Sequence, residues 1–92
     1  MSIKRYAARR DNNERAIVDA LEGVGATVVS ISENGVPDLL VGWRGETYLI
    51  EVKGKRGKLT PPQEAFIGGW DGSPVRVVRS VNEALQAIGA IS

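Results

Sequence analysis

Three residues in this chain combine types and spacing that suit phosphate chemistry: Asp38, Glu51 and Lys53. The stretch from Thr47 to Lys53 reads as a strand, and alternation sends Thr47, Leu49, Glu51 and Lys53 to one face. Tyr48, Ile50 and Val52 point the other way, into apolar packing. Asp38 follows Pro37 and opens a second strand, Leu39 to Trp43, joined to the first by the polar Arg44-Gly45-Glu46 turn. In such a hairpin Asp38 and the Glu51–Lys53 pair meet at the open end of the ladder. Two carboxylates held that close repel, and a divalent cation is the usual resolution. The carbonyl of Val52 offers a third oxygen ligand. A site of this kind suits phosphodiester hydrolysis: the metal polarises the phosphoryl group and activates water, while Lys53 orients that water or stabilises developing charge. The competing structural reading has Asp38 capping a turn and Glu51 paired with Lys53 across a solvated edge.

Composition narrows the chemistry further. The chain has no cysteine and no histidine, which excludes disulfide scaffolds, thiol nucleophiles, zinc fingers and imidazole bases. A metal must be held by oxygen, so Mg²⁺, Mn²⁺ or Ca²⁺ is expected. Ninety-two residues suit one domain. An apolar share of 42% and a charged share of 25% fit a folded soluble chain. No apolar run reaches the ~20 residues of a membrane span, and no secretory leader is evident. The expected location is therefore the cytoplasm. The net charge is only +1, but it is unevenly distributed. Lys4, Arg5, Arg9 and Arg10 fall together, and Lys53, Lys55, Arg56 and Lys58 form a second basic group. This clustering points to a polyanion or to solvated segments.

The elements that must position these residues follow from local pattern. Residues 1–10 read as a basic lead-in and 11–92 as the folded domain. Asp11 with Glu14 suggests a capping box, and Ile17, Ala20, Leu21 and Val24 recur at helical spacing over 12–23. Gly23 and Gly25 end that helix, and the β-branched stretch Ala26 to Ser32 reads as a strand. After the hairpin, Gly54 to Leu59 is a glycine-punctuated basic loop. Thr60-Pro61-Pro62-Gln63 starts a second helix with a capping box, running to about Gly68. A short strand, Val75 to Val78, precedes a third helix capped by Ser80 and Glu83, carrying Val81, Ala84, Leu85 and Ile88. The order is α-β-β-β-α-β-α, which predicts an α/β domain with a mixed sheet flanked by helices.

Gly35-Val36-Pro37-Asp38-Leu39, Tyr48-Leu49-Ile50-Glu51-Val52-Lys53 and Gly57-Lys58-Leu59-Thr60-Pro61-Pro62-Gln63 together resemble the VRR-NUC (virus-type replication-repair nuclease) family of the PD-(D/E)-x-K nuclease superfamily. The resemblance spans roughly residues 11–90. It implies a restriction-endonuclease-like core using Mg²⁺, with Mn²⁺ able to substitute. Asp38 and Glu51 match the family's metal ligands, Lys53 its catalytic lysine, and Gln63 the glutamine of the helix after the core. Glu14 matches an acidic residue that such cores present towards the metal. Helix capping remains a complete alternative for both Glu14 and Gln63. Stand-alone members of this size resemble phage or bacterial homodimers that cut four-way (Holliday) junctions, whereas larger relatives carry extra DNA-binding domains and cut flaps. The implied partners are branched or double-stranded DNA and a second copy of the chain, in a bacterial cell or phage-infected host.

Lys55, Arg56 and Lys58 directly follow the catalytic strand, where they suit phosphate contacts without base readout. Lys4, Arg5, Arg9 and Arg10 suit an arm that grips a duplex. Arg76 and Arg79 flank a short strand and are expected to face solvent, with contact to DNA the alternative. Trp70 reads as a core or interface aromatic, with base stacking the alternative for it and for Tyr6. The dimer face is left among helix 1, the first strand and the turn bearing Trp43. The alternative from another class is a non-catalytic, structure-specific DNA-binding module of a replication or repair complex.

Overall fold

A computed structural model of the protein describes residues 12–92. The basic lead-in, with Lys4, Arg5, Tyr6, Arg9 and Arg10, and the proposed cap Asp11 lie outside the described residues. Helix α1 spans Asn12–Gly23, followed by strands β1 (Thr27–Ser30), β2 (Leu39–Trp43) and β3 (Glu46–Val52). Helix α2 spans Pro61–Gly69, β4 Arg76–Val78 and α3 Val81–Ala87. The expected α-β-β-β-α-β-α order is the observed one. The strands form a single sheet in the order β1-β2-β3-β4, with the first two pairings antiparallel and β3–β4 parallel.

Alternation decides what each sheet face carries. Leu39, Val41 and Ile50 are fully buried, and Val78 joins them from β4. They pack against Ile17 and Leu21 of α1 and against Ala84 and Ile88 at α3. Helices α1 and α3 thus cover one face of the sheet. Val24 was expected to continue the apolar stripe of α1, but it follows the helix and is exposed. The chain turns away there through Gly25, at φ +97°.

The β2–β3 hairpin is tighter than the sequence suggested. Glu46 pairs with Trp43 inside the ladder, leaving a two-residue loop of Arg44 and Gly45. Both adopt positive φ (50° and 82°), the signature of a type I′ connection that matches the twist of the strands. Helix α2 begins as predicted, with Thr60 accepting from the Gln63 N–H and the Gln63 side chain accepting from the Thr60 N–H. At α3 the box is displaced by one residue. Ser80 Oγ accepts from the Glu83 N–H, but the Glu83 carboxylate accepts from the Arg79 N–H rather than that of Ser80. Trp70 does not enter the core: it is 44% exposed and stacks on Phe66 with ring centroids 5.2 Å apart. No described helix is long and apolar enough to cross a membrane.

Candidate active site

The ladder register creates the central feature of the site. Leu39 pairs with Ile50, so the preceding residue Asp38 stands across from Glu51 on the opposite face from the core. A backbone bond fixes the aspartate: the Val52 N–H donates to Asp38 Oδ2 at 2.8 Å. The Asp38 carbonyl accepts from the Ile31 N–H at 2.8 Å, which carries the β1–β2 pairing one step beyond the strands. Pro37 is fully buried, and Gly35, at φ +83°, lies under α2, where an added Cβ would come within 3.1 Å of Pro62 Cβ. Close packing at this glycine seats the start of α2, and with it Gln63, against the loop that leads into Asp38.

Glu51 is 2% exposed, an expensive environment for a carboxylate. Burial raises its pKa first and the neighbouring Asp38 raises it further, while Lys53 pulls it down; the result is about 7. Lys53 Nζ lies 3.5 Å from Glu51 Oε2, so Glu51 and Lys53 share a face as the alternation requires. The burial of this pair excludes the reading of Glu51 and Lys53 as an ion pair on a solvated edge. Two carboxylates face each other, one of them buried beyond what a single ammonium offsets. Hard oxygen donors in that state fit a divalent cation, which would relieve both the repulsion and the desolvation. Asp38, Glu51 and the Val52 carbonyl are the donors that would hold it. Among the described residues no group of three or more acidic side chains forms a ready metal centre.

Glu14 is buried, at 4% exposure, in the first turn of α1. That turn is tied to the site by Asn13, whose Nδ2 donates to the Lys53 carbonyl at 2.9 Å and to the Arg79 carbonyl at 3.3 Å. Gln63 caps α2 through its Oε1, 2.9 Å from the Thr60 nitrogen; this bond leaves its amide NH₂ available as a donor. Lys55, Arg56 and Lys58 are exposed on the loop after β3.

Two residues that sequence reasoning missed help to build this corner. Asn13 carries no spacing signal, because a polar residue in a first helical turn reads as ordinary capping chemistry. Arg79 was expected to face solvent and does not: its Nη1 donates to the Gly54 carbonyl at 2.6 Å and the Gly57 carbonyl at 2.8 Å. The correction has a simple cause. The parallel β3–β4 pairing, which the sequence does not announce, brings Arg79 beside the loop that leaves β3.

A helix-flanked mixed sheet with opposed carboxylates and a lysine at the end of its central hairpin is an arrangement that suits phosphate chemistry. The VRR-NUC domain family matches residues 7–82. A solved structure described as a VRR_NUC domain is 29% identical and superposes with a TM-score of 0.66, covering 88% of this chain and 95% of its own. No curated protein matches the sequence. The chain belongs to the VRR-NUC family, and it is a nuclease-type, DNA-processing domain.

Proposed function

We propose that this domain is a divalent-metal-dependent endodeoxyribonuclease that hydrolyses phosphodiester bonds in branched DNA, four-way junctions above all, and that it acts as a homodimer. Mg²⁺ is the proposed cofactor, with Mn²⁺ able to replace it. The carrying observation is the opposed pair Asp38 and Glu51 with Lys53 Nζ 3.5 Å from Glu51. Asp38 and Glu51, with the Val52 carbonyl, would hold the cation, which when bound supplies Lewis-acid polarisation and charge neutralisation at the phosphate.

The remaining roles belong to the chain's own groups. The Val52 N–H keeps the Asp38 carboxylate aimed across the ladder. Lys53 presents an ammonium at the edge of the carboxylate pair, where it orients the attacking water or stabilises the charge that develops on phosphate. Gln63 contributes its amide from the start of α2, and Glu14 contributes a carboxylate from α1. Lys55, Arg56 and Lys58 neutralise neighbouring phosphates without reading bases. The segment 1–10 acts as a basic arm on the duplex. A two-fold dimer suits a junction because two related sites then face two related strands.

The test is cleavage of labelled four-way junction, flap, duplex and single strand in Mg²⁺, Mn²⁺ or EDTA, with Glu51→Ala alongside. Metal-dependent cutting of the junction that is lost in the variant supports the proposal. Binding of branched DNA without cutting under any metal would replace it with the non-catalytic module. Sedimentation with and without junction DNA tests the dimer.

A further inference from the structure

Arg79 is held from three directions. Its N–H donates to Glu83 Oε1 at 2.7 Å, its carbonyl accepts from Asn13, and its side chain enters the basic loop. One guanidinium nitrogen carries two hydrogens, and the two short bonds to the carbonyls of Gly54 and Gly57 use both. A longer contact reaches the Lys55 carbonyl at 3.5 Å. The Gly57 N–H donates to the Gly54 carbonyl at 3.2 Å, so Arg79 binds the two carbonyls that frame this turn. Gly57 also lies against the Lys53 stem, where an added Cβ would sit 3.5 Å from Lys53 Cδ. The turn thus displays exposed Lys55 and Arg56, followed by exposed Lys58, while its inner side rests on Lys53 and Arg79.

Arg79 directs Nη1 at backbone carbonyls, and in doing so it fixes a four-residue turn whose side chains are long and cationic. Without such a tie, a glycine-flanked turn would lose conformational freedom each time it engaged a ligand. We propose that Arg79 is a positioning residue: it acts on DNA through the loop, holding Lys55, Arg56 and Lys58 preformed beside Lys53 for contact with phosphates. The ligand in this inference rests on the nuclease reading above; the clamp itself rests only on the hydrogen bonds.

A double-mutant cycle on the full chain tests it, with junction binding measured in EDTA. The variants are Arg79→Ala, the triple change Lys55→Ala/Arg56→Ala/Lys58→Ala, and all four together. Arg79→Ala is expected to weaken binding about tenfold in the native loop and less than about twofold once the loop is neutral, because there is then nothing left to position. Equal losses in both backgrounds would make Arg79 a phosphate contact in its own right and overturn the proposal. So would an Arg79→Ala protein that binds as the parent does. Faster exchange of the Gly57 amide in Arg79→Ala, without DNA, reports the clamp independently; unchanged exchange overturns it. If Arg79→Ala does not fold, Arg79→Lys takes its place in the cycle with the same expected non-additivity. A parent protein that binds no DNA removes the nuclease reading, while the amide exchange still reports whether the clamp exists.

Discussion

The two ends of the β2–β3 hairpin are made from the same pair of strands and have opposite energetics. At the closed end every local choice agrees. Arg44 and Gly45 form a connection suited to the strand twist, the Trp43 indole N–H donates to the Val24 carbonyl at 3.1 Å, and the Arg44 guanidinium lies 4.4 Å from the Trp43 ring centroid. At the open end the same ladder places Asp38 opposite a buried Glu51, whose pKa rises to about 7 because of burial and the neighbouring carboxylate. One end makes the hairpin form. The other end spends part of that stability to hold a carboxylate where burial withholds the water that would solvate its charge. Burial marks the same division: from Gly42 to Thr47 the closed end is half-buried or exposed, while the open end buries Leu39, Ile50 and the Glu51 carboxylate.

The strongest way to break the comparison is to remove charge from the open end. Glu51→Ala and Asp38→Ala are each expected to lower cleavage by about 10³-fold or more, since a cation-holding carboxylate is worth several kcal/mol in the transition state. DNA binding should persist or tighten, because a negative charge near phosphate is gone. Cleavage that survives either change would show that the site lies elsewhere. Lys53→Ala should lower cleavage by about 10²–10³-fold, the usual scale for losing one preorganised donor, with a milder loss of binding. These losses are read from single-turnover rates and junction affinities.

Stability should respond to pH in a way peculiar to the open end. Glu51 has a folded-state pKa of about 7 against an ordinary value of 4.5. Between those values the folded protein holds a proton that the unfolded chain has released. Metal-free stability should therefore be greatest below pH 4.5 with respect to this group, fall as pH rises to about 7, and level off above it. Glu51→Gln should flatten that decline, and Mg²⁺ or Mn²⁺ should offset it near neutrality. Thermal unfolding across pH, in EDTA and then with each metal, measures all three; a decline that persists unchanged in Glu51→Gln would assign it to another group.

The closed end gives the smallest effects and none on chemistry. Trp43→Phe, which removes the bond to the Val24 carbonyl, should cost about 1 kcal/mol. Gly45→Ala should also cost about 1 kcal/mol for its φ of +82°. Denaturant unfolding reads both, and cleavage rates corrected for folded fraction should match the parent. A catalytic defect in Gly45→Ala would mean that the two ends are mechanically coupled.

How much of this was legible in the sequence differs by region. The Thr60–Gln63 cap, the hairpin and the face shared by Glu51 and Lys53 follow from short-range rules about capping, turn chemistry and alternation, and those rules operate within a few residues. For Trp70 the same kind of reasoning failed on core burial, because an aromatic at a helix end carries no local sign of whether a sheet face lies beneath it. Arg79 failed for a related reason: its partners are 22 and 25 residues away, and only the parallel docking of β4 on β3 brings them together.

The sequence by itself determined the element order, the absence of thiol and imidazole chemistry, and the oxygen-only donors near Asp38 and Glu51, since all of these reside in residue type and near-neighbour spacing. The tertiary structure decided the burial that lifts Glu51, the seating of α2 through Gly35 and Pro62, and the closing of the basic loop around Arg79. Each of those depends on surfaces far apart in the chain coming together. Desolvation, close approach and a shared hydrogen-bond donor have no value until the fold has placed their partners.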